Sequence, residues 1–500
     1  MFNKIILSSI VLLANFCCQA SISSQAEITA QFAAETYQQS MVKNLAELVK
    51  HKTFATKAIA VEDNPAHIAF KQTLAHQAKQ LGFDYQDHGS VVIIGLGKQK
   101  DRLGVITHGD IQPANAEKWL KSPFELDLTS EPGKLIGRGT EDDKGPIVSV
   151  MFAMKAIKDK QIILNKRIEL YVYMAEESDW TPLEDFIKDH SLPELNITLD
   201  SEYPVVTAEK GYGTISMTFP HKSIKSKSAY LSSFTGGFFG SQIPEDAEAV
   251  IENADKNVEK QIKAIASTHL KMKYKYQWRN KQLTITALGK SAHSSKPEDG
   301  LNAITHLGEL ISFKQWPNNA SGALVNFINA HLGTDLYGNK FGEIAYQDNF
   351  MGQMTVSPTV LKQLDSGIQL NINIRRPKGK TKALLESQIN QTLAAWQKQN
   401  KVTLTGLKND IGEPFVISGA PQINTLLSVF SHFTGIKNAQ PISIGAGTNS
   451  RLFPNAVSFG PSMPNTEYTG HSEHEFITMN QFILNLKMYT AVLIELGQQN

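Results

Sequence analysis

The helix-and-strand pattern of this chain stops partway along and later resumes, and this limits the fold more than any other feature. From about Glu27 to Gly213, helical stretches alternate with short apolar runs that read as strands: Ser90–Gly97, Leu103–Thr107, Ile168–Met174 and Ile197–Leu199. Between them, Pro146–Lys158 carries Val, Met, Ala and Ile at helical spacing. Such alternation predicts an α/β sheet covered by helices. Between about Thr214 and Asp410 the character changes. Period-2 runs at Thr214–Phe219, Gln282–Leu288, Gln353–Val356 and Ile368–Ile374 are expected strands, and Ala247–Thr268 and Leu301–Gln315 are expected helices. From Glu413 the first character returns. Ile423–Phe433 reads as a helix, Ala456–Gly460 as a strand, and Asn480–Leu496 as an amphipathic terminal helix with Thr478 as its N-cap. The simplest account is an α/β domain in two sequence pieces, residues 27–213 and 411–500, with an α+β domain, 214–410, inserted between them. A chain of 500 residues is too long for one core, which agrees with two domains.

Residues 1–20 stand outside this scheme. Lys4 supplies a positive start, Ile5 to Phe16 is mostly apolar, and Cys18-Gln19-Ala20 resembles a small-x-small cleavage site. These are the marks of a secretory signal, which directs the mature chain to the periplasm or outside the cell. A retained membrane anchor and a lipoprotein are the alternatives. The apolar stretch is short for a bilayer span, and Phe16 or Cys17 before the candidate cysteine suits a lipoprotein signal poorly. No later run is long and apolar enough to cross a membrane, so the mature chain is expected to have no span. Cleavage after Ala20 would leave it without cysteine, hence without disulfide or thiol chemistry. With 49 basic and 48 acidic side chains the net charge is +1, which gives no footprint for nucleic acid or anionic lipid.

Five separate segments carry the residues suited to chemistry. His108 follows the run Leu103–Thr107, and ligands collect beyond the carboxyl ends of strands in open α/β sheets. Asp110 lies two residues on and can back His108 as an orienting carboxylate. Asp142, in the glycine-bracketed segment Gly137–Gly145, precedes a helix that starts near Pro146. Its two carboxylate oxygens could bridge two cations roughly 3.5–4 Å apart. Glu176 and Glu177 end the run Arg167–Met174, so one can face metals while the other moves protons. Asp200 follows Leu195–Leu199, and His471 sits in Thr469–Glu475, where His474 is a competing ligand. Read singly, each residue also fits a turn, a cap or a solvated surface. As a set they describe a two-metal hydrolase. Oxygen and imidazole donors without cysteine fit zinc, and cobalt or manganese would also fit.

The ordered motifs make the chain resemble the metallohydrolase family of aminoacylase, carboxypeptidase G and acetylornithine deacetylase, and within it the PepV and carnosinase type of dipeptidase. The likeness runs from about Leu45 to the C-terminus. It rests on Thr107–Asp110, Trp119 with Pro123-Phe124, Gly137–Pro146, Glu176-Glu177, Asp200–Pro204, Ala208–Gly211, Ala292–Gly300 and Arg375–Pro377. The resemblance implies that His108, Asp142 and Asp200 hold one zinc, and that Asp142, Glu177 and His471 hold a second. Glu176 would be the general base and Asp110 would orient His108. His293, from the inserted domain, would polarise the scissile carbonyl. Arg375 would clamp the C-terminal carboxylate of a small peptide. Gly445, Ala446, Gly447 and Thr448 match a loop that lines that carboxylate. The peptide Asp142–Asp143 would be cis.

The sequence departs from the family pattern at two places. In Gly236–Pro244, Ser241 stands where relatives carry a substrate-binding Asn, with Gln242 adjacent. Ala446 stands where a glycine is usual. The leading expectation is a secreted di-zinc dipeptidase lid-and-core enzyme. An N-acyl amino-acid deacylase or carboxypeptidase with the same chemistry is the alternative, and a metal-dependent peptide binder without turnover is a third reading. The insert is long enough to fold over its own site. A monomer supplying its own His293 is therefore favoured over a homodimer.

Overall fold

The computed structural model describes residues 22–56 and 59–499. The expected signal segment, residues 1–20, lies outside the described residues. The first sheet runs, in spatial order, Asp84–Asp87, Val91–Leu96, Arg167–Tyr173, Arg102–His108, Leu195–Thr198, Val457–Ser458, Val206–Glu209 and Phe415–Val416, with Ile442–Ile444 also pairing Val206–Glu209. Arg102–His108 is parallel to both of its neighbours, Arg167–Tyr173 and Leu195–Thr198. Their carboxyl ends therefore open on one edge. Period-2 patterning sends alternate side chains to opposite faces. Leu103, Val105, Leu170 and Val172 pack under the helices Ser24–Val49, Lys144–Asp159 and Met479–Gly497. Ile106, Tyr171 and Tyr173 form a smaller core on the other face with Leu183 and Phe453. A sheet buried on both faces explains why its strands read as nearly continuous apolar runs.

The second sheet has eight antiparallel strands: Lys273–Arg279, Gln282–Leu288, Asp246–Glu252, Tyr230–Gly236, Thr355–Leu364, Gly367–Arg376, Gly211–Pro220 and Thr405–Ile411. One face buries Ile215, Phe219, Phe234 and Ile372 against Leu307, Leu324, Phe327 and Trp396 of the covering helices. The strands of this sheet come from between Val206–Glu209 and Phe415–Val416, so the α+β unit is inserted into an α/β domain. Among the described residues no helix is long and apolar enough to cross a membrane.

Several elements differ from the sequence reading. Ala247–Thr268 was expected as one helix, but Asp246–Glu252 is a strand and only Lys256–Ala266 is helical. Alanine and glutamate favour helix, yet Ala247, Ala249 and Ile251 point into the core at period 2, and strands pair on both sides. Tertiary pairing overrides local propensity here. Leu301–Gln315 contracts to Ala303–Leu310, which is capped by the Asn302 side chain. Gln353–Val356 divides: Gln353 pairs with Gln347 in a short hairpin, and Thr355 begins a longer strand, Thr355–Leu364, whose register shifts just after Pro358. That proline is what ends the sequence pattern early. Ala456–Gly460 shortens to Val457–Ser458.

Candidate metal centre and active site

Three parallel strands and one helix start deliver the acidic and imidazole groups. His108 is the last residue of its strand, Glu176 and Glu177 follow Arg167–Tyr173, and Asp200 follows Leu195–Thr198. Asp142 precedes the helix Lys144–Asp159, and the Asp142–Asp143 peptide is cis. Gly139 has φ +87°, and a Cβ there would meet Ile111 and Lys144 at 3.0 Å, so this turn takes glycine. His471 enters from the C-terminal piece with φ +65°.

Asp142 lies at the centre. Its Oδ1 is 2.8 Å from His108 Nε2, and its Oδ2 is 3.0 Å from His471 Nε2. Two imidazoles on two oxygens of one carboxylate is the arrangement a bridging ligand requires. His471 Nε2 also meets Glu177 Oε1 at 2.7 Å, and Asp200 Oδ2 is 3.9 Å from His108 Nε2. Donor atoms of His108, Asp142 and Glu177 lie within 4.8 Å of one another, as do those of His108, Glu176 and Asp200. These groupings cut across the two expected ligand sets, and they bring Glu176 as close to the centre as the ligands. Asp110 accepts the backbone N–H groups of Glu176 and Glu177, each at 3.0 Å, and His108 Nδ1 faces its backbone carbonyl at 3.1 Å and its Oδ1 at 3.4 Å. It therefore fixes both the imidazole and the loop carrying the two glutamates.

The electrostatics favour cations. Burial and the Asp200 charge push the Glu176 carboxyl well above its ordinary value, and its Oε1 is buried without a hydrogen-bond partner. Asp200 is likewise raised, by burial and then by Asp142. Burial opposes ionisation of Asp142, but hydrogen bonds from His108 and His471 outweigh it and hold the group well below the usual range. Buried carboxylates facing one another, with imidazoles between them, are a donor set that one or two hard or borderline cations satisfy.

The inserted domain supplies the other wall of a cavity of about 780 Å³. His293 lines it, with its ring centroid 5.4 Å from that of His471. Burial, then the charge of Arg375, hold this imidazole well below its ordinary pKa, so it is neutral. Arg375 is buried, and its guanidinium donates to Ser294 Oγ at 3.1 Å and to the Gly445 carbonyl at 3.4 Å and stacks over Tyr212. Among the described residues it forms no ion pair. Burial lowers its pKa to about 10, so it remains charged. Ala446, Gly447 and Thr448 line the cavity, and a Cβ at Gly445 would sit 2.7 Å from the Ser295 carbonyl oxygen. The Thr448 hydroxyl donates to Glu209 Oε1 at 2.6 Å. Ser241 lines the cavity and its carbonyl accepts Ser294 N–H at 2.8 Å. Gln242 turns away to Ser291 Oγ and does not replace the missing amide.

The structure separates the two histidines of the C-terminal loop. His474 pairs with Glu131 at 2.7 Å, away from the centre. Three neighbours of the site escaped the sequence reading. Tyr468 donates to Asp142 Oδ2 at 2.7 Å. Gln112 donates to Glu177 Oε2 at 2.8 Å. Glu475 accepts the N–H groups of Glu141 and Asp142 and pairs with buried Arg138. Each acts on a partner distant in sequence. Their only signal is position: Gln112 two residues past Asp110, the others within four of His471.

Known proteins resemble the chain over most of its length. The β-Ala-Xaa dipeptidase of Lactobacillus delbrueckii subsp. lactis is 27% identical over 469 residues, 93% of this chain and 97% of that protein. Human carnosine dipeptidase 1 superposes with a TM-score of 0.56 at 16% identity, covering 95% of this chain and 100% of that one. The dipeptidase Dug1p of Saccharomyces cerevisiae gives 0.57 at 14% identity, covering 94% and 98%. These two structural likenesses show a shared fold. The sequence profile of peptidase family M20/M25/M40 matches residues 104–495, a span that begins in the strand carrying His108 and ends in the terminal helix. The chain belongs to peptidase family M20/M25/M40, a family of metallopeptidases.

Proposed function

We propose that the chain is an exported di-zinc dipeptidase that hydrolyses dipeptides with a free C-terminal carboxylate. The observation that carries this reading is Arg375, a buried guanidinium without a carboxylate partner among the described residues, in the same cavity as the carboxylate–imidazole cluster. A buried cation of this kind is stabilised by an anion that arrives with the substrate. Fixing that anion near the cluster measures one residue from the scissile bond, which favours dipeptides. Relatives named as dipeptidases support the same reading.

His108, Asp142 and Asp200 would hold one zinc, and Asp142, Glu177 and His471 the other. A pair of such cations, when bound, would supply a more acidic water and polarise the carbonyl. Glu176 would take a proton from the attacking water and pass it to the leaving amine. Asp110 keeps His108 in one tautomer. His293 donates to the carbonyl oxygen. Arg375, with the Gly445–Thr448 loop and Ser241, orients the carboxylate end. His293 lines the chain's own cavity, which supports a monomer that needs no second copy. Lys4 and the apolar run Ile5–Phe16 support export to the periplasm or beyond. Mass spectrometry of the exported protein should find an N-terminus at Ser21.

The test is an assay of metal-stripped, zinc-restored protein on an unmodified dipeptide, the same dipeptide amidated, an N-acetyl amino acid and a tripeptide. The unmodified dipeptide should turn over fastest and the amide should lose most of kcat/KM. Faster turnover of the acetylated compound, or release of single C-terminal residues from longer peptides, would replace this reading with the deacylase or carboxypeptidase. Tight binding without cleavage would make the protein a binder.

A further inference from the structure

Tyr468 touches the central carboxylate, yet no motif of the site includes it. Its hydroxyl donates to Asp142 Oδ2 at 2.7 Å, the oxygen that also faces His471. Its ring stands edge-on to two imidazoles, with centroids 6.4 Å from His293 and 6.5 Å from His471. It lines the cavity together with Glu176 and Arg375. The phenol therefore lies against the central carboxylate and beside the histidine of the inserted domain, on the wall of the cavity that Glu176 also lines.

His293 offers the reaction one donor only. The Ser295 backbone N–H points at His293 Nδ1 at 3.3 Å, and Ser295 Oγ is 2.6 Å from the same nitrogen. An N–H donor there makes Nδ1 an acceptor, so the proton is on Nε2. One neutral N–H is modest stabilisation for a developing oxyanion, and oxyanion sites typically converge two donors on that oxygen. Among the described residues, Tyr468 is the hydroxyl donor that contacts the central carboxylate beside this imidazole.

We propose that Tyr468 is a second oxyanion donor, whose O–H turns from Asp142 Oδ2 to the substrate carbonyl oxygen as the tetrahedral intermediate forms, beside the Nε2–H of His293. This inference rests on the amide-hydrolysis reading of the site. Water oxygen bonds to the carbonyl carbon and the π pair moves to the carbonyl oxygen. The water proton goes to Glu176. When the pair returns, the C–N bond breaks and Glu176 delivers that proton to the amine. Tyr468 keeps its own proton throughout and supplies only the hydrogen bond.

The experiment compares wild type with Tyr468→Phe, both zinc-restored, on three readouts: dipeptide kinetics, calorimetric titration with a phosphinic dipeptide analogue that mimics the tetrahedral centre, and zinc content with Tm. The expected result is a fall in kcat of about 10²-fold with KM little changed. Analogue affinity should fall in step with kcat/KM, while zinc content and Tm stay at wild-type values. Retained kcat would overturn the proposal. So would analogue affinity that does not follow kcat/KM, or loss of zinc, which would make the phenol a prop for Asp142. A wild-type enzyme inactive on every dipeptide would count against the dipeptidase reading. The analogue titration of the two proteins counts for or against Tyr468 alone.

Discussion

Glu176 and Glu177 are adjacent in sequence but differ in surroundings. Glu177 spends one oxygen on His471 and the other on Gln112. Glu176 leaves a buried oxygen unpartnered, which suits a group that must gain and lose a proton. Replacing it by Gln should keep zinc bound and lower kcat by about 10²–10⁴-fold. A fully active Glu176→Gln enzyme would remove Glu176 from proton transfer. The same crowding predicts a pH effect on the metal-stripped protein. Glu176 and Asp200 are both raised above their ordinary carboxyl values, first by burial and then by neighbouring acids. An acid whose folded pKa exceeds its unfolded value contributes stability below the unfolded value, about 4, and that contribution is lost as pH rises toward the folded value. Calorimetry with a chelator should therefore show Tm falling as pH rises from about 4, and added zinc should reverse the trend. His108, Asp142, Glu177 and Asp200 were legible because each follows a strand-like run or precedes a helix, whereas His471 was singled out only by the family resemblance. Tyr468 and Gln112 were not, because their hydrogen bonds reach Asp142 and Glu177, far away in the sequence.

At the scale of elements, what holds the site is a tie between its two sequence pieces. Glu475 follows the His471 loop and accepts the N–H groups of Glu141 and Asp142 at 3.0 and 3.1 Å. Its other oxygen meets Arg138 at 2.9 Å, with both partners nearly inaccessible to water. Breaking a buried pair from one side leaves the other charge uncompensated, typically about 3–5 kcal/mol. Glu475→Ala should lower stability on that scale in denaturant titration and weaken zinc affinity, because the Asp142 loop loses its anchor. Unchanged zinc affinity would show that the loop holds itself. The terminal helix behind this loop is held more simply: the Thr478 side chain accepts Gln481 N–H, and Thr478→Ala should cost about 1 kcal/mol. That cap was legible, since the hydroxyl immediately precedes an amphipathic run. The strand Asp246–Glu252 was not, because its small residues carry helix propensity and only the paired strands on either side reveal their period.

At the scale of the whole molecule, the cavity lies on the seam between the two sheets, and lysines cross that seam. Lys296 of the insert meets Glu202 beside the cavity at 2.7 Å, and Lys290 meets Glu467 at 3.3 Å. Lys118 reaches the other way, to Glu245 and to Asp246. The change of pattern near Thr214 made the insertion legible, but pairs between segments so distant in sequence leave no periodic trace, so the closed arrangement was not. All of these lysines are at least 38% exposed, so each pair alone is weak and screened by salt. Acting together they are expected to favour the position in which His293, Arg375 and Glu176 line one cavity. If Arg375 recognises a substrate carboxylate as proposed, opening the seam should remove that recognition before it disturbs the cluster, since the cluster is built within the first sheet and its loops. Raising ionic strength from about 0.05 to 0.5 M should therefore raise KM while zinc stays bound. Replacing Lys118, Lys290 and Lys296 together by Ala should raise KM at low salt, flatten its salt dependence and increase the radius of gyration measured by X-ray scattering. A triple variant with wild-type KM and unchanged dimensions would mean that the remaining contacts between the two sheets, the Arg375–Gly445 and Ser443–Phe350 hydrogen bonds among them, suffice to hold them together.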